Sequence, residues 1–189
     1  MIILSSFGLR SPIVATKTKV YLPDCKDMKV LVVPFAGFNE LNTARREIDE
    51  GLIPFGFNPS NIHVCHANMN EHKTQRYDLI YVPGGNPFKL LSACQENDII
   101  SFLKQLVNQG AIYFGASAGA DLATENLEYL RLVEDCDYQL TSFTGLSLLK
   151  GKKVICHTDQ RDFGTLQAIK DYDERKTLFI RNDELYKIE

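Results

Sequence analysis

Ile112-Tyr113-Phe114-Gly115-Ala116-Ser117-Ala118-Gly119-Ala120 is an apolar run that ends in G-x-S-x-G. Glycines two before and two after the serine leave room for a sharp strand-to-helix turn that holds the hydroxyl exposed beside backbone N–H groups, the pattern of a nucleophile elbow. Four strand-like residues, Ala111 to Phe114, lead into the turn, and a helix-compatible stretch, Ala120 to Val133, leads out of it. A plain glycine-rich turn has the same pattern, and the flanking elements favour the elbow. Ser117 is the candidate nucleophile.

Working outward, strands alternate with helices, which predicts an α/β fold with a mostly parallel sheet covered on both faces. Lys29 to Gly37 reads as a buried strand, followed by a helix from Asn39, its N-cap, to Phe57. Asn61 to Ala67 and Tyr77 to Gly85 are further strands, the second ending in a glycine pair. Asn86-Pro87 reads as N-cap and first helical residue, and a second helix from Asp98 is stopped by Gly110. Beyond the elbow come a strand at Lys153 to His157, a helix over Arg161 to Tyr172, and a C-terminal hairpin turning at Asn182-Asp183.

At 189 residues and 44% hydrophobic content, the chain is expected to form one domain, 1–189, with a core large enough to house a site. A net charge of -3 with interspersed signs offers no electrostatic case for nucleic acid or an anionic membrane. No apolar run approaches the ~20 residues that span a bilayer, and the start MIILSSFGLR lacks the basic region of a signal peptide. Five cysteines without C-x-x-C pairing suit reduced thiols, so a cytoplasmic location is expected. Oligomeric state is not legible.

A serine hydroxyl needs a base within hydrogen-bond reach, and the base needs a third group to fix its tautomer. Of the four histidines, His63, His66 and His72 precede the elbow, whereas His157 stands at the C-terminal end of a strand, where ligands gather in open α/β sheets. His157 is the better candidate base. His63, Cys65 and His66 resemble a metal cluster, but strand alternation sends His63 and Cys65 to one face and His66 to the other. No metal and no cofactor are expected. Ala118 N–H is the usual first oxyanion donor after such a serine, and Gly85, with Gly84 as an alternative, could supply the second from beside a helix N-terminus.

Val82 to Leu91 (VPGGNPFKLL) and Gly110 to Ala123 (GAIYFGASAGADLA), followed by VICH ending at His157, resemble the peptidase E family of serine peptidases. That family includes aspartyl dipeptidases and, more distantly, cyanophycinases. The resemblance covers essentially the whole chain. It implies a three-layer, flavodoxin-like sandwich akin to class I glutamine amidotransferases, with Ser117 as nucleophile, His157 as base and Gly85 with Ala118 as oxyanion hole. It also implies a small peptide substrate, and Asn86 joins the substrate-binding candidates.

Three departures stand out. Where family dipeptidases place a glutamate that orients the histidine, ungapped matching of TLFIRNDELYKI puts Asn182, with Asp183 one residue away as the alternative third member. Family dipeptidases pair an arginine after the histidine with the substrate's N-terminal aspartate, and Arg161 is the candidate here for such Asp-X substrates. The chain also ends soon after the expected hairpin, without the C-terminal extension of longer members. Rival readings remain: a glutamine amidotransferase would want cysteine at position 117, an esterase of the α/β-hydrolase type would need Asp135 or Asp137 as its acid, and Asn182 could mark a catalytically weak binding protein.

Overall fold

A computed structural model describes residues 1–66, 72 and 74–189. Six strands form one sheet in the order β3-β2-β4-β5-β1-β8: β1 (Ile2–Ser5), β2 (Val30–Val32), β3 (Ile62–Val64), β4 (Leu79–Val82), β5 (Ile112–Ala116) and β8 (Leu185–Ile188). All neighbours run parallel except β8, which lies antiparallel on β1. β6 (Lys153–Cys156) and β7 (Thr177–Ile180) form a separate two-stranded parallel sheet.

Alternation along the strands divides the core in two. Ile3, Val30, Val32, Leu79, Tyr81 and Phe114 join Val14 of α1 (Pro12–Lys19) and Phe55 of α3 (Ile53–Phe55) in one buried cluster. Leu4, Leu31, Ile80, Val82 and Tyr113 face the other way, into a cluster with residues of α4 (Pro87–Glu96), α5 (Ile99–Asn108) and α6 (Ala118–Leu122). The result is a three-layer α/β sandwich whose inner strands are apolar on both faces, as parallel sheets require.

α2 (Glu40–Glu47) runs through a π-helical turn at Ile48–Leu52 into α3, so the predicted helix over this stretch is continuous. Asn39 caps it by accepting from Asn42 N–H at 3.0 Å. Asn86 caps α4 by accepting from the N–H groups of Phe88 and Lys89, each at 2.9 Å, with Pro87 as the first helical residue.

Several expectations need correction. β2 and β3 are shorter than the stretches read as strands, and Ala67, the expected end of the latter, lies outside the described residues. The elbow helix stops at Leu122 instead of continuing to Val133, because a returning loop takes its carbonyls: Leu146 N–H donates to Leu122 O at 2.8 Å and Leu148 N–H to Ala123 O at 2.9 Å. β1 and α1 add two elements to the expected pattern, α1 opening on the N-cap Ser11 with Pro12 in its first turn. The largest correction concerns the C-terminal hairpin. β7 pairs with β6 and β8 with β1, so each finds its ladder in a distant partner, and the turn at Asn182-Asp183 carries the chain from one sheet to the other.

Candidate active site

Ser117 stands where β5 gives way to α6, with φ 50° and ψ -115°, a conformation that L-residues rarely adopt. Packing holds it there. Ser117 N–H extends the β1 ladder to Ser5 O at 2.9 Å, and Ser117 O accepts from Ala120 and Asp121 N–H at 2.7 and 3.0 Å. Behind it, a Cβ on Gly119 would lie 2.0 Å from Val82 O, so only a residue without a side chain lets α6 sit this close to β4. Tyr113, buried in the same strand, donates to Gly119 O at 2.6 Å and ties the turn from below.

His157 follows β6 in the left-handed region, φ 57° and ψ 37°. Its Nε2 lies 3.0 Å from Ser117 Oγ, and its Nδ1 lies 2.7 Å from Asn182 Oδ1. An amide oxygen can only accept, so Nδ1 carries the proton and Nε2 presents its lone pair to the serine hydroxyl. That is the tautomer in which a histidine can take a proton from serine. The loop carrying Asn182 is held in turn, because Asn182 N–H donates to Asp159 Oδ1 at 3.1 Å. Asp183, the alternative third member, is turned elsewhere: its carboxylate is half exposed and lies 3.7 Å from Arg181.

Sequence reasoning missed Ser6. Its buried hydroxyl accepts from His157 N–H at 3.0 Å and donates to Ile180 O at 3.0 Å, stitching the ends of β6 and β7 to the end of β1. The edge of Phe7 meets the imidazole with ring centroids 5.1 Å apart. The only sequence signal was a pair of serines closing an apolar N-terminal run, which by itself reads as a loop.

Gly84 and Gly85 border the serine. A Cβ on Gly84 would come 2.9 Å from Ser117 Cβ, and Gly85, at φ 146°, approaches Ala36 so closely that a Cβ there would lie 2.1 Å from its carbonyl oxygen. Among the described residues no group of the chain accepts from the N–H of Gly85 or of Ala118. Ser117, His157, Gly84 and Gly85 line one cleft of about 530 Å³.

Two substrate-binding candidates are otherwise engaged. Asn86 uses Oδ1 for its helix cap and donates through Nδ2 to Asp135 O at 3.0 Å. Arg161 donates from Nε to Cys156 O at 3.1 Å and pairs with Glu134 at 3.0 Å. Neither lines the cleft. The other histidines do not line it either: Nδ1 of His72 lies 2.7 Å from the Tyr77 hydroxyl, and burial, with Lys29 nearby, pushes His63 below the usual histidine range. Cys65 is buried while His66 is exposed, and no group of metal-ligating side chains assembles among the described residues. Burial raises the Cys65 thiol to about 12 and pushes Cys156, behind the serine, well above the usual thiol range. Of the described helices, none is long and apolar enough to cross a membrane.

Comparison with known proteins places these features in context. The chain is 29% identical over 108 residues to peptidase E of Haemophilus influenzae, a match spanning 57% of this chain and 49% of that protein. It is 32% identical over 111 residues to peptidase E of Actinobacillus pleuropneumoniae serotype 3, over 57% of this chain and 45% of that one. The matches thus span about half the length of these relatives. The crystal structure of a protein described as a candidate peptidase E from Listeria monocytogenes EGD-e superposes with a TM-score of 0.74 at 19% identity, covering 97% of this chain and 91% of that chain, and shares the fold. The model of peptidase family S51 matches residues 3–189, and the chain belongs to that family.

Proposed function

We propose that this chain is a serine peptidase acting on dipeptides or other small peptides, with Ser117 as nucleophile, His157 as general base and Asn182 as the group that orients it. The observation that carries this reading is the continuous line from Asn182 Oδ1 through the imidazole to Ser117 Oγ, at 2.7 and 3.0 Å, opening into a cleft. Membership of the S51 family and relatives named peptidase E support it.

In this mechanism Ser117 Oγ attacks the scissile carbonyl carbon as its proton passes to His157 Nε2. The carbonyl oxygen becomes an oxyanion, received by the N–H groups of Gly85 and Ala118. Collapse of the intermediate breaks the C–N bond, and Nε2 returns the proton to the departing amine. Water then repeats the sequence on the acyl-serine, with Nε2 again taking and returning one proton. Asn182 holds the tautomer throughout, but it brings no charge to the imidazolium that forms.

Asp-X dipeptides are the first substrates to try. An aspartate reaching Arg161 would share its guanidinium with Glu134, so cleavage of neutral first residues is tested beside it. The experiment is fluorophosphonate labelling of wild type, Ser117→Ala and His157→Gln, run beside Asp-X dipeptides, neutral dipeptides and simple esters. Labelling and dipeptide turnover in the wild type alone is the expected result. Equal labelling of Ser117→Ala would remove the nucleophile, and turnover confined to esters would replace the peptidase with an esterase.

A second reading, a catalytically weak member that binds small peptides, is favoured by one observation. The group on His157 Nδ1 is an amide where a carboxylate would add charge. Slow labelling together with tight binding of uncleaved peptides would favour it.

A further inference from the structure

The cleft is also lined by two arginines, Arg10 and Arg46. Both approach the same oxygen, Glu47 Oε1, at 2.8 Å from Arg10 Nε and 3.5 Å from Arg46 Nη2, so the two guanidinium groups sit side by side. Like charges are placed so only where something of opposite sign holds them. Glu47 does so from within: its side chain is 4% exposed, and its other oxygen accepts from the Tyr81 hydroxyl at 3.0 Å. Tyr81 is itself fixed, since its hydroxyl also accepts from Leu9 N–H at 3.2 Å.

The remaining contacts are few. Arg10 reaches Glu50 at 3.7 Å through Nη1, and that carboxylate is mostly exposed, where screening leaves such a pair little strength. Arg46 makes no further ion pair among the described residues, and its side chain is 49% exposed. A guanidinium offers five N–H donors in a planar fork that matches a carboxylate. Glu47 engages Nε of Arg10 and lies beside Nη2 of Arg46, which leaves most donors of the two forks unused. The cleft therefore presents unused cationic donors on a preorganised base, in the same cavity as Ser117 and His157.

Their side of the cleft follows from the chemistry. The departing amine takes its proton from His157 Nε2, so the departing residue lies toward the imidazole, and Phe7, packed on that ring, lines the cleft together with Arg10 and Arg46. We propose that Arg46, supported by Arg10 and Glu47, binds a carboxylate on the departing part of the substrate and so selects short peptides with a free C-terminus. The inference rests on the serine-peptidase reading. Its chemistry is that of any carboxylate, so an acidic side chain on the departing residue is the alternative source.

The test measures kcat and KM for matched free-acid and C-terminal amide di- and tripeptides with wild type, Arg46→Gln and Arg46→Lys, adding an amidated peptide whose departing residue is glutamate. Wild type should favour the acid by about 10- to 100-fold in KM, the size of a charge-assisted pair. Arg46→Gln should collapse that ratio toward one, and Arg46→Lys should restore part of it. Recovery by the amidated glutamate peptide alone would assign the site to a side chain. Equal KM for acid and amide in wild type, or a preference undiminished in Arg46→Gln, would overturn the proposal. Binding of the same pairs to Ser117→Ala needs no turnover: acid-selective binding beside an unlabelled wild type would overturn the peptidase reading and leave the carboxylate site standing, whereas equal binding beside full turnover would do the reverse.

Discussion

Ser117 and His157 meet across 3.0 Å, yet the two sides of that contact are held with different emphasis. On the serine side, β5 is paired on both edges and α6 lies against β4 with no room for a Cβ at Gly119. On the histidine side, a two-stranded sheet carries His157; its strand β6 is buried, but β7 is mostly half-buried and α7 (Phe163–Asp171) buries only Ile169. There the position is set by hydrogen bonds: Ser6 to His157 N–H and Ile180 O, Asp159 to Asn182 N–H, and Asn182 to the imidazole. Steric exclusion dominates around Ser117, and a polar network dominates around His157. Changes on the first side should be all-or-none, and changes on the second should be graded.

The largest effects test the first side. Ser117→Ala should lower peptide turnover by about 10⁴- to 10⁶-fold, while its thermal midpoint stays close to that of wild type, because the glycines shape the turn. Gly119→Val should instead fail to fold or lose several kcal/mol, about the cost of overpacking plus a displaced backbone. Native-like stability of Gly119→Val in a denaturant titration would mean that the turn yields easily, and the contrast between the two sides would disappear.

The same contrast explains what could be read in advance. Dense local packing writes itself into sequence, since apolar runs, G-x-S-x-G and the Asn86-Pro87 cap each announce an element within a few residues. Ser117, Gly85 and the caps Asn39 and Asn86 are legible for that reason. The histidine side depends on partners far apart in the chain, such as Ser6 with Ile180, 174 residues away. The segment Thr177 to Glu189 shows two strands and a turn, and nothing local says that each strand pairs elsewhere. His157 and Asn182 were reached through chain position and family resemblance, while Ser6, Arg10 and Arg46 gave no local sign.

Graded effects should follow on the second side. Asn182→Ala removes the only acceptor on His157 Nδ1 among the described residues and should lower kcat by about 10²-fold, within the ~10⁴ that a wrong tautomer costs a serine-protease triad. Asn182→Asp should raise kcat, because a charge would then face the imidazolium. A silent Asn182→Ala with a damaging Asp183→Ala would transfer the role to Asp183. Ser6→Ala leaves the buried Ile180 O and the part-buried His157 N–H short of a partner, and its effect should be smaller, roughly 10-fold. The loss should fall on kcat and on the rate of fluorophosphonate labelling more than on KM. A fall in stability with both rates untouched would reduce Ser6 to a structural stitch.

The effect with no counterpart in turnover concerns Asp121, behind Ser117. It lies on α6 with Oδ1 buried and unpartnered, and burial, reinforced by Glu134 and opposed by Arg161, pushes its carboxyl well above the usual carboxylate range. In the unfolded chain the same group titrates near the ordinary value of about 3.9. Between the two pKa values the folded state binds more protons than the unfolded one, so unfolding free energy falls as pH rises through that window and levels off above the folded pKa. Each unit of separation contributes about 1.4 kcal/mol to that fall. Asp121→Asn cannot ionise and should lack this slope, so urea midpoints of variant and wild type should draw apart, in the variant's favour, from pH 4 to pH 8. Parallel midpoints across that range would mean that Asp121 ionises freely in the folded protein. Tight packing on the serine side would then carry no electrostatic penalty, and the difference between the two sides would be steric alone.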